Sequence, residues 1–262
     1  MNDPLAPLAE LPGVSEAVDD ARTAVDRLLG HRVLRRRSAE VSAESALRGA
    51  RASAELEGTP ADLEDVRSGT TNAPAIQGAL RVSAELGSLV DTWRHAPRQV
   101  LARLHVLAAA DTVPADELGR PRGDGTAPPD PHGLGPPPGP QEVSARLDAL
   151  ARVLSGRTAA PAPVVAAIVH GELAALRPFG WGNGLVARAA ERLILVATGL
   201  DPKSLAVPEV GHLDQREQYA TAMGAYIGGG TDGMVSWVRH CSAALAAGAR
   251  ESLAICEAIK RG

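Results

Sequence analysis

The segment from Leu176 to Arg188, Leu-Arg-Pro-Phe-Gly-Trp-Gly-Asn-Gly-Leu-Val-Ala-Arg, concentrates the residues that could do chemistry. A helix is expected to end near Leu176, a glycine-rich turn to follow, and an amphipathic helix to begin at about Gly184. The first N–H groups of a helix lack intrahelical partners and point outward. Gly182, Asn183 and Gly184 therefore predict a nest that attracts an anion, phosphate above all. Arg188 stands four residues after Gly184 and can reach back over that nest, while Arg177 precedes the turn. Arginine presents a fixed fork of donors to oxyanions, so the five residues together read as a phosphate or nucleotide clamp.

Other uses of the same glycines are open to test. A dinucleotide fingerprint needs a glycine at position 185, where Leu185 stands, and a strand before it. A phosphate loop of the NTPase kind needs Gly-Lys-Ser/Thr, which the segment lacks. A purely structural reading stays beside the functional one, because glycines alone allow a tight helix-to-helix turn.

The order helix, Pro178-Phe179, Gly182-Asn183-Gly184, then a helix with Arg188 resembles the Fic/Doc (Fido) family. The family's motif reads His-x-Phe-x-Asp/Glu-Gly-Asn-Gly-Arg-x-x-Arg. Upstream, Arg51-Ala-Ser53-Ala-Glu-Leu-Glu57-Gly58 is similar to the family's inhibitory helix, Ser/Thr-x-x-x-Glu-Gly/Asn. Leu104-His105, Gly119-Arg-Pro-Arg122, His170, Tyr219 and Trp237 also fall where relatives carry similar residues, so the resemblance spans roughly residues 40 to 245. It implies an all-α domain that transfers AMP, or another phosphate-containing group, from a nucleotide to a protein hydroxyl. It also implies that Glu57 pairs with Arg188, with Ser53 one turn earlier on the same face, and Arg177 is expected to share that carboxylate.

Three motif positions depart from the family. Arg177 stands where the family has its histidine base, and a guanidinium stays protonated at any working pH. Trp181 replaces the metal-holding carboxylate and offers no oxygen to Mg²⁺; Leu185 replaces the first motif arginine. His170 does not substitute, since seven residues of helix set it about 10 Å from Arg177 along the axis. Its expected role is that of a satisfied helix histidine, and Glu172 and Glu191 are expected on solvated faces or in ion pairs. No catalytic residue is therefore assigned. The reading is of a binding or regulatory module that keeps phosphate or nucleotide affinity; the alternative is a nucleotidyl or phosphate-group transferase with an altered mechanism. No resident cofactor is expected, ATP or another nucleotide is the ligand the cradle would suit, and Mg²⁺ is not expected.

These residues need helices to position them. The 262-residue chain is 45% hydrophobic but only 2% aromatic, so its core must be Ala, Leu and Val packed at short distances, a composition that favours helix over sheet. Val14, Val18, Ala21, Val25 and Leu28 mark a helix that Ser15 could cap and Gly30 ends. Some nine further helices are expected, at about 38–56, 60–66, 75–93, 97–108, 142–154, 163–176, 184–198, 213–226 and 232–259, with no strand pair. Residues 119–140 hold fourteen Gly or Pro in twenty-two; no helix survives that, and a flap-like surface loop near the site is expected. One globular unit is expected, with 1–70 as an N-terminal helical segment carrying the inhibitory-like helix and 71–262 as the Fic-like core.

Charge and cysteine content exclude other classes. Net charge is −4, and the one basic run, His31 to Arg37, reads as a solvated helix end rather than a nucleic-acid patch. Cys241 and Cys256 lie fifteen residues apart with no recognised ligand spacing, so neither a metal site nor a disulfide framework is expected. The first residues lack a basic and apolar leader and no stretch reaches the ~20 residues of a membrane span. A cytoplasmic protein is expected, with a protein partner or self-association through its apolar N-terminal helices, and with neither nucleic acid nor membrane.

Overall fold

The computed structural model describes residues 3–261; Met1, Asn2 and Gly262, at the outer ends of the two expected segments, lie outside the described residues. The fold is all-α, with eleven α-helices and no strand among the described residues. After a short 3₁₀ turn come α1 (Val14–Leu29), α2 (Leu34–Leu56), α3 (Leu63–Ser68), α4 (Pro74–His95) and α5 (Pro97–Ala109). Beyond the loop 110–139 follow α6 (Pro140–Ser155), α7 (Ala162–Leu176), α8 (Asn183–Ala197), α9 (Pro208–Asp214), α10 (Arg216–Gly228) and α11 (Gly230–Arg261).

Proline in the first turn opens α4, α5, α6, α7 and α9, where its missing N–H costs no hydrogen bond. Four boundaries differ from expectation, the first being that α2 starts at Leu34 rather than at about 38, with helical geometry broken at Arg37 (φ −122°, ψ 27°). The N-cap of α1 is Gly13 at φ 74°, not Ser15, which lies inside the first turn. Asp62 caps α3 by accepting from the Glu64 N–H at 2.7 Å, so that helix starts after Pro60. The single helix expected over 213–226 is two, because Gln215 leaves helical geometry at φ −115°, ψ 38° between α9 and α10.

The 32-residue α11 is the central strut, with α1, α2, α7, α9 and α10 packed on it. The apolar stripe of α1 faces α11, with Val14, Ala21, Val25 and Leu28 at 0% exposure, so the face that could have dimerised is used internally. α2 lies on α4 and α9 as well as α11, and Ser45 Oγ meets Ser252 Oγ at 3.1 Å across the α2–α11 contact. Glycine sets the closest approaches: a Cβ at Gly78 of α4 would stand 2.1 Å from the Ala108 carbonyl oxygen of α5, and one at Gly211 of α9 2.1 Å from that of Ala244 in α11. One continuous core runs from Leu5 to Cys256 through both halves of the chain.

The basic run lies at the start of α2, not at the C-terminal end of a helix. Its charge nevertheless meets a negative pole, that of α11, where Arg37 Nη1 donates to the Ile259 carbonyl at 2.8 Å; Arg37 also forks onto Glu40. No described helix is long and apolar enough to cross a membrane.

Candidate functional site

α7 and α8 form an antiparallel pair joined by residues 177–182. The turn is tight because Gly182 takes φ 72° at the N-cap of α8 and Arg177 takes the left-handed φ 41° at the C-cap of α7. Asn183 clips it shut: its Oδ1 accepts from the Phe179 N–H at 2.9 Å and its Nδ2 donates to the Phe179 carbonyl at 2.8 Å. Its side chain thus holds the cradle's shape and does not aim at a ligand. Phe179 stacks on His105 of α5 with centroids 4.1 Å apart. His105 Nδ1 accepts from Gly119 N–H at 2.9 Å, which ties the start of the loop to the turn.

The carboxylate of Glu57 lies against the first turn of α8. A Cβ on Gly184 would come within 1.9 Å of Glu57 Oε1, so only glycine leaves room for that anion. Arg188, 1% exposed, reaches back as its spacing implied: Nη2 donates to Glu57 Oε1 at 2.8 Å and to the Ser53 carbonyl at 2.9 Å, and Nε donates to Ser53 Oγ at 2.9 Å. Gly58, at φ 83°, ends the helix behind Glu57. A negative charge therefore already sits at the positive end of α8.

Arg177 does not share that carboxylate. Its left-handed backbone turns it toward the loop, where Nη2 donates to the Gly135 carbonyl and Nη1 lies 3.5 Å from Asp130 Oδ2. Burial opposes ionisation of Asp130, but the N–H groups of Leu134 and Gly135 and the Arg177 charge hold its carboxyl below the usual range. Arg122 anchors the loop from the other side, its Nε donating to the Arg177 carbonyl at 2.8 Å and its N–H to that of Pro178 at 2.8 Å. The Gly/Pro-rich segment is a flap over the site, as expected.

That flap brings in a residue the sequence did not flag. His132 packs edge-on against Tyr219 at 5.0 Å between centroids, and its Nε2 is buried without a hydrogen-bond partner. Burial and the Arg188 charge push its pKa down to about 4, so the imidazole is neutral at pH 7. His132, Glu57, Arg177, Trp181, Gly184 and Tyr219 line a cavity of about 100 Å³. Small-molecule sites usually measure ~300–1,000 Å³. The cleft as it stands has about the room of a phosphate group and is smaller than a nucleotide needs.

Residues 95–195 match the Fic/DOC family. The whole fold is similar to that of a Fic family protein from Desulfovibrio desulfuricans G20, with TM-score 0.74 and 21% identity over 93% of this chain and 75% of that one. It is also similar to a fragment of Fic-1 from C. elegans, with TM-score 0.71 and 18% identity over 94% of this chain and 73% of that one. The chain carries a Fic/Doc domain. No curated protein matches it significantly.

Within the Fic/Doc domain the departing motif positions are all structurally occupied. Arg177 is 5% exposed and tied to the flap, Leu185 is 2% exposed in the core, and Trp181 packs against the core at the rim of the cavity. Behind Arg188, Tyr219 OH meets His170 Nε2 at 2.9 Å, and His170 Nδ1 meets Glu191 Oε2 at 2.7 Å. The same oxygen meets His212 Nε2 at 3.0 Å, and His212 Nδ1 meets His240 Nε2 at 3.0 Å. His170 is thus a satisfied helix histidine, as expected, and Glu191 lies in the interior, 2% exposed, rather than on a solvated face. Burial raises the Glu191 carboxyl, but His212 and His170 outweigh it and hold the group ionised. Glu172 pairs with Arg146 at 2.8 Å and accepts from the Tyr226 hydroxyl at 2.8 Å. Where no metal ligands were expected, side-chain donor atoms of His170, Glu191, His212 and Cys241 lie within 4.8 Å of one another.

Proposed function

We propose that this Fic/Doc domain is a binding or regulatory module that takes a phosphate-bearing ligand at the start of α8 and does not transfer AMP by the family's route. The observation that carries the reading is the Glu57 carboxylate seated on the N-terminus of α8 against Arg188. A site that stabilises one anion in this way will accept another of similar size and charge. The guanidinium of Arg177 and the indole of Trp181 stand where the family places a proton acceptor and a metal ligand, and neither side chain can fill those roles. The same reading makes the partner a protein and the setting the cytoplasm.

Glu57→Ala leaves Arg188 buried with a reduced set of partners. Removing one member of a buried pair costs roughly 3 kcal/mol, and inorganic phosphate should restore much of it by occupying the vacated place. The expected result is a variant whose melting temperature is lower than that of the parent chain and rises with phosphate, while the parent responds weakly. Calorimetry on both proteins with phosphate, ADP and ATP measures the same competition directly. A variant that stays insensitive to millimolar phosphate would remove the ligand-binding part of the proposal.

One observation favours the alternative, a transferase with altered mechanism. His132 supplies a neutral imidazole with an unpartnered buried nitrogen in the cavity that holds Glu57 and Arg188. In that reaction a protein hydroxyl oxygen bonds to the α-phosphorus of a nucleotide as the bond to pyrophosphate breaks, and the hydroxyl proton passes to His132. Glu57→Ala protein incubated with α-labelled ATP and lysate should leave no labelled band under the first reading. A band that disappears in Glu57→Ala/His132→Gln would select the second.

A further inference from the structure

We infer that His170, Glu191, His212 and Cys241 form a structural binding site for one transition-metal ion of the zinc class, separate from the phosphate cleft. Each residue comes from a different helix: α7, α8, α9 and α11 respectively. Their donor atoms lie within 4.8 Å of one another, and all four side chains are buried. Two imidazole nitrogens, a carboxylate oxygen and a thiolate are the donors zinc takes in closed, four-coordinate sites. With bond lengths of ~2.0–2.3 Å, a tetrahedral ion holds its ligand atoms about 3.3–3.8 Å apart, so the set needs only sub-ångström to ångström adjustments.

The surroundings fit that use. A metal-bound histidine needs a partner on its other ring nitrogen to fix its orientation. His170 has one in the Tyr219 hydroxyl at 2.9 Å, and His212 has one in His240 Nε2 at 3.0 Å. Without metal, His170 and His212 turn N–H donors toward Glu191. With metal, those nitrogens become ligands and the ring protons move to the outer nitrogens, where Tyr219 and His240 accept them. Cys241 gives up its thiol proton to solvent as the sulfur–metal bond forms. A divalent ion then meets one carboxylate and one thiolate, so the buried site is neutral as a whole. Burial and the Glu191 charge otherwise hold the Cys241 thiol protonated. Cys241 is a free, buried cysteine, so no disulfide competes for its sulfur.

Because the ligands come from four helices, bound metal cross-links the half of the fold that frames the cleft, and metal affinity becomes folding stability. The test uses the full chain without a histidine tag, stripped with a chelator and titrated with Zn²⁺ and with Co²⁺ as a spectroscopic probe. The expected result is one ion per chain, a raised melting temperature, and Co²⁺ d–d bands of tetrahedral intensity with a sulfur-to-metal charge-transfer band. Cys241→Ser should lose the charge-transfer band, and His240→Ala, which removes only an outer partner, should weaken binding roughly 10–100-fold. Should the variants fail to fold, the parent chain decides the matter on its own. Absence of stoichiometric binding, an octahedral cobalt spectrum without the sulfur band, or binding unchanged in a folded Cys241→Ser protein would each overturn the inference.

Discussion

His105 shows how much one side chain can hold. It is fully buried, stacks flat on Phe179 and accepts a hydrogen bond from Gly119, so it joins α5, the motif turn and the flap. Burial lowers its pKa from 6.5 to about 4, and protonation would also abolish the acceptor that Gly119 needs. The unfolded chain therefore binds a proton below about pH 6.5 that the folded chain refuses until about pH 4, and stability falls as pH drops through that window. The expected contribution is up to one proton, about 1.4 kcal/mol per pH unit. Urea melts of the parent and of His105→Asn between pH 4 and 7 check it: the variant should show a shallower decline. At this scale the Ser53–Glu57–Arg188 group was legible through the resemblance of its two segments to the Fic/Doc family, whose inhibitory glutamate pairs with the last motif arginine. The partners of Arg177 were not, because Asp130 and Gly135 come from a segment whose path no local rule determines. The gathering of His170, Glu191, His212 and Cys241 was equally hidden, since each lies on its own helix with no short ligand spacing.

Helix pairs in this fold are set by what is missing from their surfaces. With few aromatic side chains to fill space, backbones must approach closely, and glycine is the residue that allows it. Gly78 faces the Ala108 carbonyl, a backbone atom that cannot rotate away. Gly78→Ala should therefore destabilise the chain by about 1–3 kcal/mol, as overpacking does. Gly87 lies on the exposed face of the same helix with open space around its Cβ position, so Gly87→Ala should stabilise by roughly 0.5–1 kcal/mol. Opposite shifts in denaturation midpoint test both at once. The same composition explains why element positions could be read: proline and glycine punctuate the chain at helix starts and ends. It was less informative over 208–228, where Pro208 opens a seven-residue helix too short to show a period and Gln215 ends it without a glycine or proline.

For the molecule as a whole, the continuous core fixes how the inhibitory-like carboxylate can leave. α2 is not a detachable arm. It lies on α4, α9 and α11, and a Cβ on Gly49 would already stand 3.2 Å from Val207 and 3.4 Å from Arg192 and Glu209. Swinging the helix away would open the interior, whereas Glu57 sits one residue past its last turn, so the carboxylate can part from Arg188 while the helix stays packed. Admission of a small anion is then a matter of side-chain exchange on an intact scaffold, and its barrier is the parting of the Glu57–Arg188 ion pair rather than a hinge motion. An incoming anion therefore competes with a tethered carboxylate for one guanidinium, and the strength of that tether, not the helical frame, sets the concentration at which the cleft fills.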